Sequence, residues 1–310
     1  MSKVRFGVVL WDWPEDGSRG REHIQNIVKY LDTLDNAYES VWLGDHFTLG
    51  SLTDMNADIL ECLTTLTYLS AKFPTLDFGP ITLASSFRNP ALLAKITSTL
   101  SVLSGGKFIL GIGAGCNEEE YRQYGYEYLS NKTRIKQMEE AVQIIRLLWT
   151  HDDITFIGKY HRIENAYCNP KPDPMPPILI GGGGEKYTLK VVARHADWWN
   201  GAYYGVKTWT HKLNVLASHC DDVGRDFDDI LKSAMWAVAL AGSDEEALRL
   251  AKRCVAYPGG LLIGSPDSLV SQMGELVDAG VEYFQLGFTQ FPNYEATQLF
   301  VDEVIPELAI

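Results

Sequence analysis

Three alternating glycines stand in Leu110-Gly111-Ile112-Gly113-Ala114-Gly115-Cys116-Asn117, at the end of an apolar run that begins at Phe108. Glycines at this spacing let a backbone turn sharply and leave no Cβ between it and a flat ligand. The stretch reads either as the floor of a planar binding site or as a plain glycine-rich turn. A second ledge, Gly181-Gly182-Gly183-Gly184, lies between the apolar run Ile178-Leu179-Ile180 and a helical pattern that starts at Glu185. Backbone N–H groups at a helix start, with no side chains in the way, bind phosphate well. A plain tight turn is the alternative, although four glycines in a row lose much backbone entropy on folding. Neither ledge completes the GxGxxG pattern of a dinucleotide fold, because Cys116 and Lys186 stand where the last glycine belongs.

Asp45-His46-Phe47 follows the apolar strand pattern Ser40-Val41-Trp42-Leu43. A lone histidine reads either as a satisfied structural group or, at a strand end on the catalytic rim, as a group placed for acid/base work near neutral pH, the reading preferred here. No second histidine or carboxylate stands at ligand spacing, so the expectation is no metal. Cys116 has the chemistry of a nucleophile, but the reading preferred here is a small buried thiol. Trp198-Trp199 is expected to split, one ring in the barrel and one outside it. Glu118-Glu119-Glu120 reads as a solvated helix start.

Composition narrows the function classes. The 310 residues carry 27 Lys plus Arg against 40 Asp plus Glu, a net charge of -13, which argues against nucleic acid or anionic membrane partners. Cysteines at 62, 116, 168, 220 and 254 show neither CxxC nor zinc spacing and read as reduced thiols of a cytoplasm. The N-terminus enters a strand pattern directly, and no apolar run reaches the roughly 20 residues of a membrane span. A cytoplasmic protein is therefore expected.

These residues must be positioned by the elements between them. Strand patterns fall at 4–10, 40–43, 76–83, 108–113, 178–180, 197–200, 231–241 and 283–287. Helical periodicity separates them at 21–34, 59–72, 90–103, 133–149, 185–195, 206–223, 244–255, 266–279 and 294–308. Residues 154–163 alternate like a small hairpin, and the proline-rich stretch 169–177 reads as an extended connector. Strands apolar on both faces mean a parallel sheet covered by helices. Eight evenly spaced units predict an α/β fold, a single (β/α)8 barrel over 1–310 with insertions in its C-terminal-face loops; a doubly wound sheet is the alternative. At the C-terminal mouth this order gathers Trp11 and Trp13, then Asp45, His46 and Phe47, the two glycine ledges, Asn200 and Tyr203. Aromatic walls, one histidine and bare backbone suit a large planar ligand with an anionic tail.

Several blocks resemble the bacterial luciferase-like flavin-dependent oxidoreductases: Ser40 to Phe47, Phe87-Arg88-Asn89-Pro90-Ala91-Leu92-Leu93-Ala94-Lys95, Leu103 to Lys107 and on through Glu120-Tyr121, Pro170-Lys171-Pro172, Ile178 to Glu185, and Ala193 to Asp197. The likeness covers most of the chain to about residue 200. It implies a (β/α)8 barrel that binds the deazaflavin F420, or alternatively FMN, and the blocks resemble the F420 branch most. It implies His46 as the catalytic proton shuttle beside the redox ring. Cofactor contacts fall on Asp45, Ile81, Thr82, Gly113, Ala114, Gly115, Asn117 and Gly181, Gly182, Gly183 and Gly184. Substrate contacts fall on Trp11, Trp13, Phe47, Cys116 and Tyr203. FMN-using luciferases often carry an arginine where this chain has Ala114, which favours F420. Against F420 stand its polyanionic glutamate tail and the acidity of this chain, in which Arg88, Lys186 and Arg194 are the few cations of the matched blocks. F420-dependent sugar-phosphate dehydrogenases have a catalytic Glu where this chain has Cys116, which argues against that substrate. The implied reaction is hydride transfer between F420 and a small organic substrate. The alternatives are an FMN-dependent monooxygenase using O2 and reduced flavin from a separate reductase, and a non-catalytic flavin-binding protein. A homodimer is implied as well. Gly79-Pro80-Ile81-Thr82-Leu83 interrupts the third strand, and the resemblance implies a bulge there with a cis Ile81–Thr82 peptide; an ordinary trans strand with a proline bulge is the alternative.

Overall fold

A computed structural model describes residues 4–11, 17–34, 36–48, 56–252 and 260–308; Trp13 and Cys254 lie outside them. The strands are β1 (Arg5–Leu10), β2 (Tyr38–Leu43), β3 (Asp77–Pro80), β4 (Leu83–Ala84), β5 (Leu110–Gly113), β6 (Ile154–Ile157), β7 (Arg162–Ala166), β8 (Ile178–Gly181), β9 (Trp198–Ala202), β10 (Leu231–Leu240), β11 (Leu261–Gly264) and β12 (Tyr283–Phe288). Between them lie α1 (Arg21–Asp32), α2 (Cys62–Lys72), α3 (Pro90–Leu103), α4 (Glu118–Gln123), α5 (Asn131–Thr150), α6 (Thr188–His195), α7 (Val206–Val223), α8 (Asp244–Ala251) and α9 (Pro266–Asp278). Parallel pairing runs β3-β2-β1-β12-β10-β9-β8-β5-β4, while β6 and β7 form a separate antiparallel hairpin.

The two ends of that path are one stretch of chain. β3 pairs with β2, β4 pairs with β5, and the peptide Ile81–Thr82 between them is cis. Ile81 donates its N–H to Leu43 O at 2.8 Å, and Ile109 donates to Phe78 O at 2.9 Å. The broken third strand thus joins β2 to β5, and the fold is a TIM barrel.

Three expectations need correction. β11 went unread, because Leu261-Leu262-Ile263 is short and bounded by glycines; it pairs with β10 from Ala237 onward, past the last β9 partner at Met235. The helix expected from Glu185 begins only at Thr188, so a turn separates the second glycine ledge from α6. The last helix is not continuous: α10 (Glu295–Leu299), a π-helical turn (Phe300–Val304) and α11 (Ile305–Leu308) follow one another. Pro306 lacks the N–H that would continue the i→i−4 ladder.

Inside the barrel, Val9, Trp42, Ile109, Leu179, Trp198 and Tyr283 form a compact apolar layer. Trp42 donates Nε1–H to Ser40 Oγ at 2.5 Å, and Ser40 Oγ lies 2.7 Å from the Tyr283 hydroxyl. Room for the Trp42 indole comes from glycines. A Cβ on Gly7 would meet Trp42 Nε1 at 2.6 Å, and one on Gly79 would meet the Trp42 ring at 2.6 Å and Ile109 O at 2.9 Å. A second, polar set is also buried: Asn200 Nδ2 donates to Gln285 Oε1 at 3.1 Å and to Ser233 Oγ at 3.3 Å. Trp198 belongs to the interior layer, whereas Trp199 stacks on Trp209 of α7 at 4.8 Å, so the tandem splits. Among the described residues, no helix is long and apolar enough to cross a membrane.

Gly79→Ala therefore overpacks the interior. Urea denaturation is expected to show a loss of about 1–3 kcal/mol. Gly274→Ala, in α9 with open space around it, is expected to change stability the other way, by about 0.5–1 kcal/mol.

Candidate active site

A cavity of about 610 Å³ opens where the C-terminal ends of β2, β4, β5, β8 and β9 meet. His46 and Asp45 reach it from β2, Ile81 and Thr82 from the broken strand, and Gly113, Ala114, Gly115 and Cys116 from β5. Gly181, Gly182 and Gly184 follow from β8, with Asn200 and Ala202 from β9. Glu120, Tyr121, Tyr128, Asn131, Arg134 and Thr188 complete much of the wall.

The glycines of the first ledge face protein. A Cβ on Gly111 would fall 1.9 Å from Pro80 O, one on Gly113 would fall 2.5 Å from Thr82 Oγ1, and one on Gly115 would fall 2.0 Å from the Tyr121 hydroxyl. Their spacing therefore admits the broken strand and Tyr121. In the second ledge the left-handed residue is Gly182, with φ +109°, and it lies on the wall. Gly183 does not line the cavity, and the Tyr204 hydroxyl sits 2.3 Å from where its Cβ would be.

Glu120 is the residue that sequence reasoning placed wrongly. It is 2% exposed rather than solvated. One carboxylate oxygen lies 3.2 Å from His46 Nδ1, and the other accepts from the N–H groups of Phe47 at 2.5 Å and Thr48 at 3.2 Å. A signal was present: successive helical residues point about 100° apart, so three adjacent glutamates span about 200° of the helix and the outer ones lie near the edge of a solvent face. Glu120 adjoins Tyr121, which is fully buried.

Asp45 is buried in a bidentate pair with Arg88, both contacts 2.7 Å, and accepts the Ala84 N–H at 2.9 Å. Arg88 also donates to Glu61 at 2.7 Å. Its charge is thus matched by two carboxylates inside the protein, and it is not available to a cofactor tail. Asn117 caps α4, accepting the Glu120 N–H at 3.4 Å, and does not line the cavity. Trp11 donates Nε1–H to Phe288 O at 2.8 Å and packs its ring over Gly287, away from the wall. Phe47 stacks on Phe87 at 4.7 Å in an aromatic cluster beside the cavity. Tyr203 has a left-handed φ of 59°, with its ring against Gly260, and does not line the cavity.

Arg134, unread in the sequence, is 4% exposed. It donates to Ala114 O and Gly115 O at 3.2 Å each, to the Tyr128 hydroxyl at 3.1 Å, to Asn131 Oδ1 at 2.7 Å, and to Leu129 O. The Tyr128 ring centroid lies 3.9 Å from the guanidinium. Each of these acceptors is neutral, so the wall beneath the first ledge keeps a positive charge. Cys116 is exposed, which corrects the expected buried thiol. Partial desolvation at the wall, and then the Glu120 carboxylate, push its thiol pKa up.

A parallel barrel with a histidine–carboxylate pair and a buried arginine at its C-terminal mouth has the build of a cofactor-binding barrel enzyme. The chain belongs to the luciferase-like monooxygenase family, whose model matches residues 4–260. It is 26% identical to the F420-dependent glucose-6-phosphate dehydrogenase of Amycolatopsis mediterranei (strain U-32), covering 92% of this chain and 94% of that one. It is 27% identical to the FMNH(2)-dependent dimethylsulfone monooxygenase of Pseudomonas fluorescens (strain Pf0-1), over 70% and 69% of the two chains. The fold matches that of an F420-dependent secondary alcohol dehydrogenase, solved with an F420-acetone adduct, at a TM-score of 0.85 and 18% identity over 99% of both chains.

The Cys116 environment makes a pH prediction. A raised thiol pKa means that the reactive thiolate forms only above the ordinary thiol range. Alkylation of the Cys116 peptide by iodoacetamide, followed by mass spectrometry against pH, is expected to show a high midpoint. Glu120→Gln removes the neighbouring charge and is expected to lower that midpoint.

Proposed function

We propose that this protein is an F420-dependent oxidoreductase that moves a hydride between the deazaflavin and a small organic substrate. The observation that carries the reading is the His46–Glu120 contact on the wall of a cavity whose opposite requirement, a positive charge for a phosphate, is met by Arg134. The residues suit such a cofactor. The cavity volume of about 610 Å³ is that of a small-molecule site. At Gly182 a φ of +109° leaves bare backbone on the wall, where other residues do not fit.

In this reading Ile81, Thr82, Gly113, Ala114 and Gly115 would hold the ring, Gly181, Gly182, Gly184 and Thr188 would hold the phosphate end, and Arg134, beneath the first ledge, would supply positive charge to the same cavity. A bound deazaflavin supplies the two-electron chemistry. The chain supplies the proton: Glu120 accepts Nδ1–H of His46, which sets the tautomer and assigns Nε2 to proton exchange. The Glu120 contacts to the Phe47 and Thr48 N–H groups hold the loop that carries His46. Asp45, held by Arg88, positions this loop. Cys116, in place of a carboxylate, directs the choice of substrate away from sugar phosphates. The second reading, an FMN-dependent monooxygenase fed by a separate reductase, is supported by the FMNH(2)-dependent relative. Titration with F420 and with FMN, followed by absorbance, separates the two.

His46→Ala is expected to lower turnover by roughly 10²–10⁴ while cofactor affinity stays within a few-fold. Glu120→Gln keeps the backbone contacts, loses the charge, and is expected to lower turnover less than His46→Ala. Steady-state kinetics with any accepted substrate checks both, and wild-type turnover in His46→Ala would remove His46 from the mechanism.

A further inference from the structure

A second cavity, of about 540 Å³, opens at the other end of the barrel. Arg5, Trp198 and Leu231, the first residues of β1, β9 and β10, line it, with Pro177 just before β8 and Glu282 just before β12. These are N-terminal strand ends, so the pocket lies opposite the mouth that holds His46. The interior layer of Val9, Trp42, Ile109, Leu179, Trp198 and Tyr283 separates the two. Leu231 packs against that layer and lines the lower pocket, whereas Met235 packs against it and lines the upper cavity. The volume is that of a small-molecule site.

Charge on the lower wall is not balanced. Arg5 pairs with Glu39 at 2.7 Å, and Arg146 pairs with Asp197 at 2.9 Å. Lys232, 4% exposed, is shared by Asp228 at 3.4 Å and Glu282 at 3.8 Å. Asp229 makes no ion pair or side-chain hydrogen bond among the described residues. Two carboxylates are thus left beyond what these cations match.

Donors are left over as well. Trp198 is 9% exposed, and its indole N–H has no acceptor among the described residues. The ring is packed on Trp42 and Tyr283 in the interior layer, so the uncovered N–H opens onto the pocket. A largely buried donor without an acceptor is a cost that a ligand can remove. Arg5 gives its Nε–H to Glu39, and its two terminal nitrogens make no hydrogen bond among the described residues. Its guanidinium lies 5.9 Å from the Trp198 ring centroid and 5.1 Å from that of Tyr283, at the same wall.

We propose that this lower pocket is a second ligand site, for a small organic cation that also carries a carboxylate, the chemistry of a basic amino acid. The unmatched carboxylates, Asp229 foremost, take the cationic end. The Trp198 N–H and the terminal nitrogens of Arg5 take the carboxylate. Met175, Pro176, Pro177 and Leu231 give an apolar wall to the aliphatic stem. A bare metal ion would leave the Trp198 N–H unanswered, and an anion without a cationic end would meet the excess negative charge. The site is independent of the reading of the upper cavity, because the interior layer keeps its ligand away from His46. The wall charges are partly solvated, so binding is modest and falls with salt.

The test is titration of the full-length protein with three probes: L-arginine, agmatine, which lacks the carboxylate, and citrulline, whose side chain is neutral. Calorimetry reads affinity. The indole N–H resonance of Trp198, identified by its loss in Trp198→Phe, reads the place of binding. Saturable arginine binding with a Kd of about 1 mM or tighter is expected, with a shift of that resonance. Citrulline is expected to bind about fivefold or more weakly. Asp229→Lys is expected to weaken arginine and agmatine about tenfold at low salt and less at physiological salt, with Asp229→Asn in between. Trp198→Phe is expected to weaken arginine about tenfold and to leave agmatine within about twofold. Thermal melting of each variant confirms that the fold is retained; if Trp198→Phe does not fold, Asp229→Lys and the citrulline comparison decide. The absence of saturable arginine binding overturns the proposal, as does wild-type arginine affinity in Asp229→Lys. Citrulline binding as tight as arginine overturns it, since the cationic end would then do nothing. Equal weakening of arginine and agmatine by Trp198→Phe overturns it too, since the N–H would then not serve the carboxylate.

Discussion

The buried pair of Asp45 and Arg88 ties the barrel's mouth together. Asp45 follows β2, Arg88 precedes α3, and Asp45 also takes the Ala84 N–H at the end of β4. One carboxylate therefore fixes the broken third strand to its neighbour, at the level where the cavity begins. Desolvation of both charges works against such a pair, and the bidentate geometry with the added Ala84 and Glu61 contacts offsets it. Loss of one partner alone would leave a buried charge uncompensated, a cost of about 3–5 kcal/mol. Ile81, Thr82 and His46 all sit within two or three residues of this clamp or of the strand it holds.

Charge is distributed unevenly over this acidic molecule. Arg88 is matched by two carboxylates, while Arg134 is surrounded by carbonyls, an amide, a hydroxyl and an aromatic face. The first arrangement builds structure. The second keeps a cation at the cavity wall without satisfying its charge, which is what an anionic ligand needs. Glu120 shows the complementary case: a buried carboxylate satisfied by two backbone N–H groups and a histidine, placed to orient that histidine.

The two glycine ledges, alike in sequence, differ in what they accommodate. Gly111, Gly113 and Gly115 lack Cβ atoms because Pro80 O, Thr82 and Tyr121 occupy those positions. Gly182 lacks one because its backbone is left-handed on the cavity wall. Composition alone does not separate these reasons. For Gly111 and Gly113 the reason lies in a strand more than 25 residues earlier in the chain, for Gly115 in Tyr121 shortly after it, and for Gly182 in the local turn.

By itself the sequence determined what depends on local pattern. The alternation of apolar strands and amphipathic helices implied the barrel, Asn89-Pro90 marked the start of α3, and the Gly79-Pro80 interruption marked the break in the third strand. His46 was legible because it follows a strand end. Contacts between distant parts of the chain were decided only by tertiary structure. Glu120 meets His46 across 74 positions, and Arg88 meets Asp45 across 43. Asn117 became a helix cap, and Trp11 turned to Phe288. Whether a charged side chain faces water, a partner or a cavity depends on what the fold packs against it, and no periodicity along the chain carries that information.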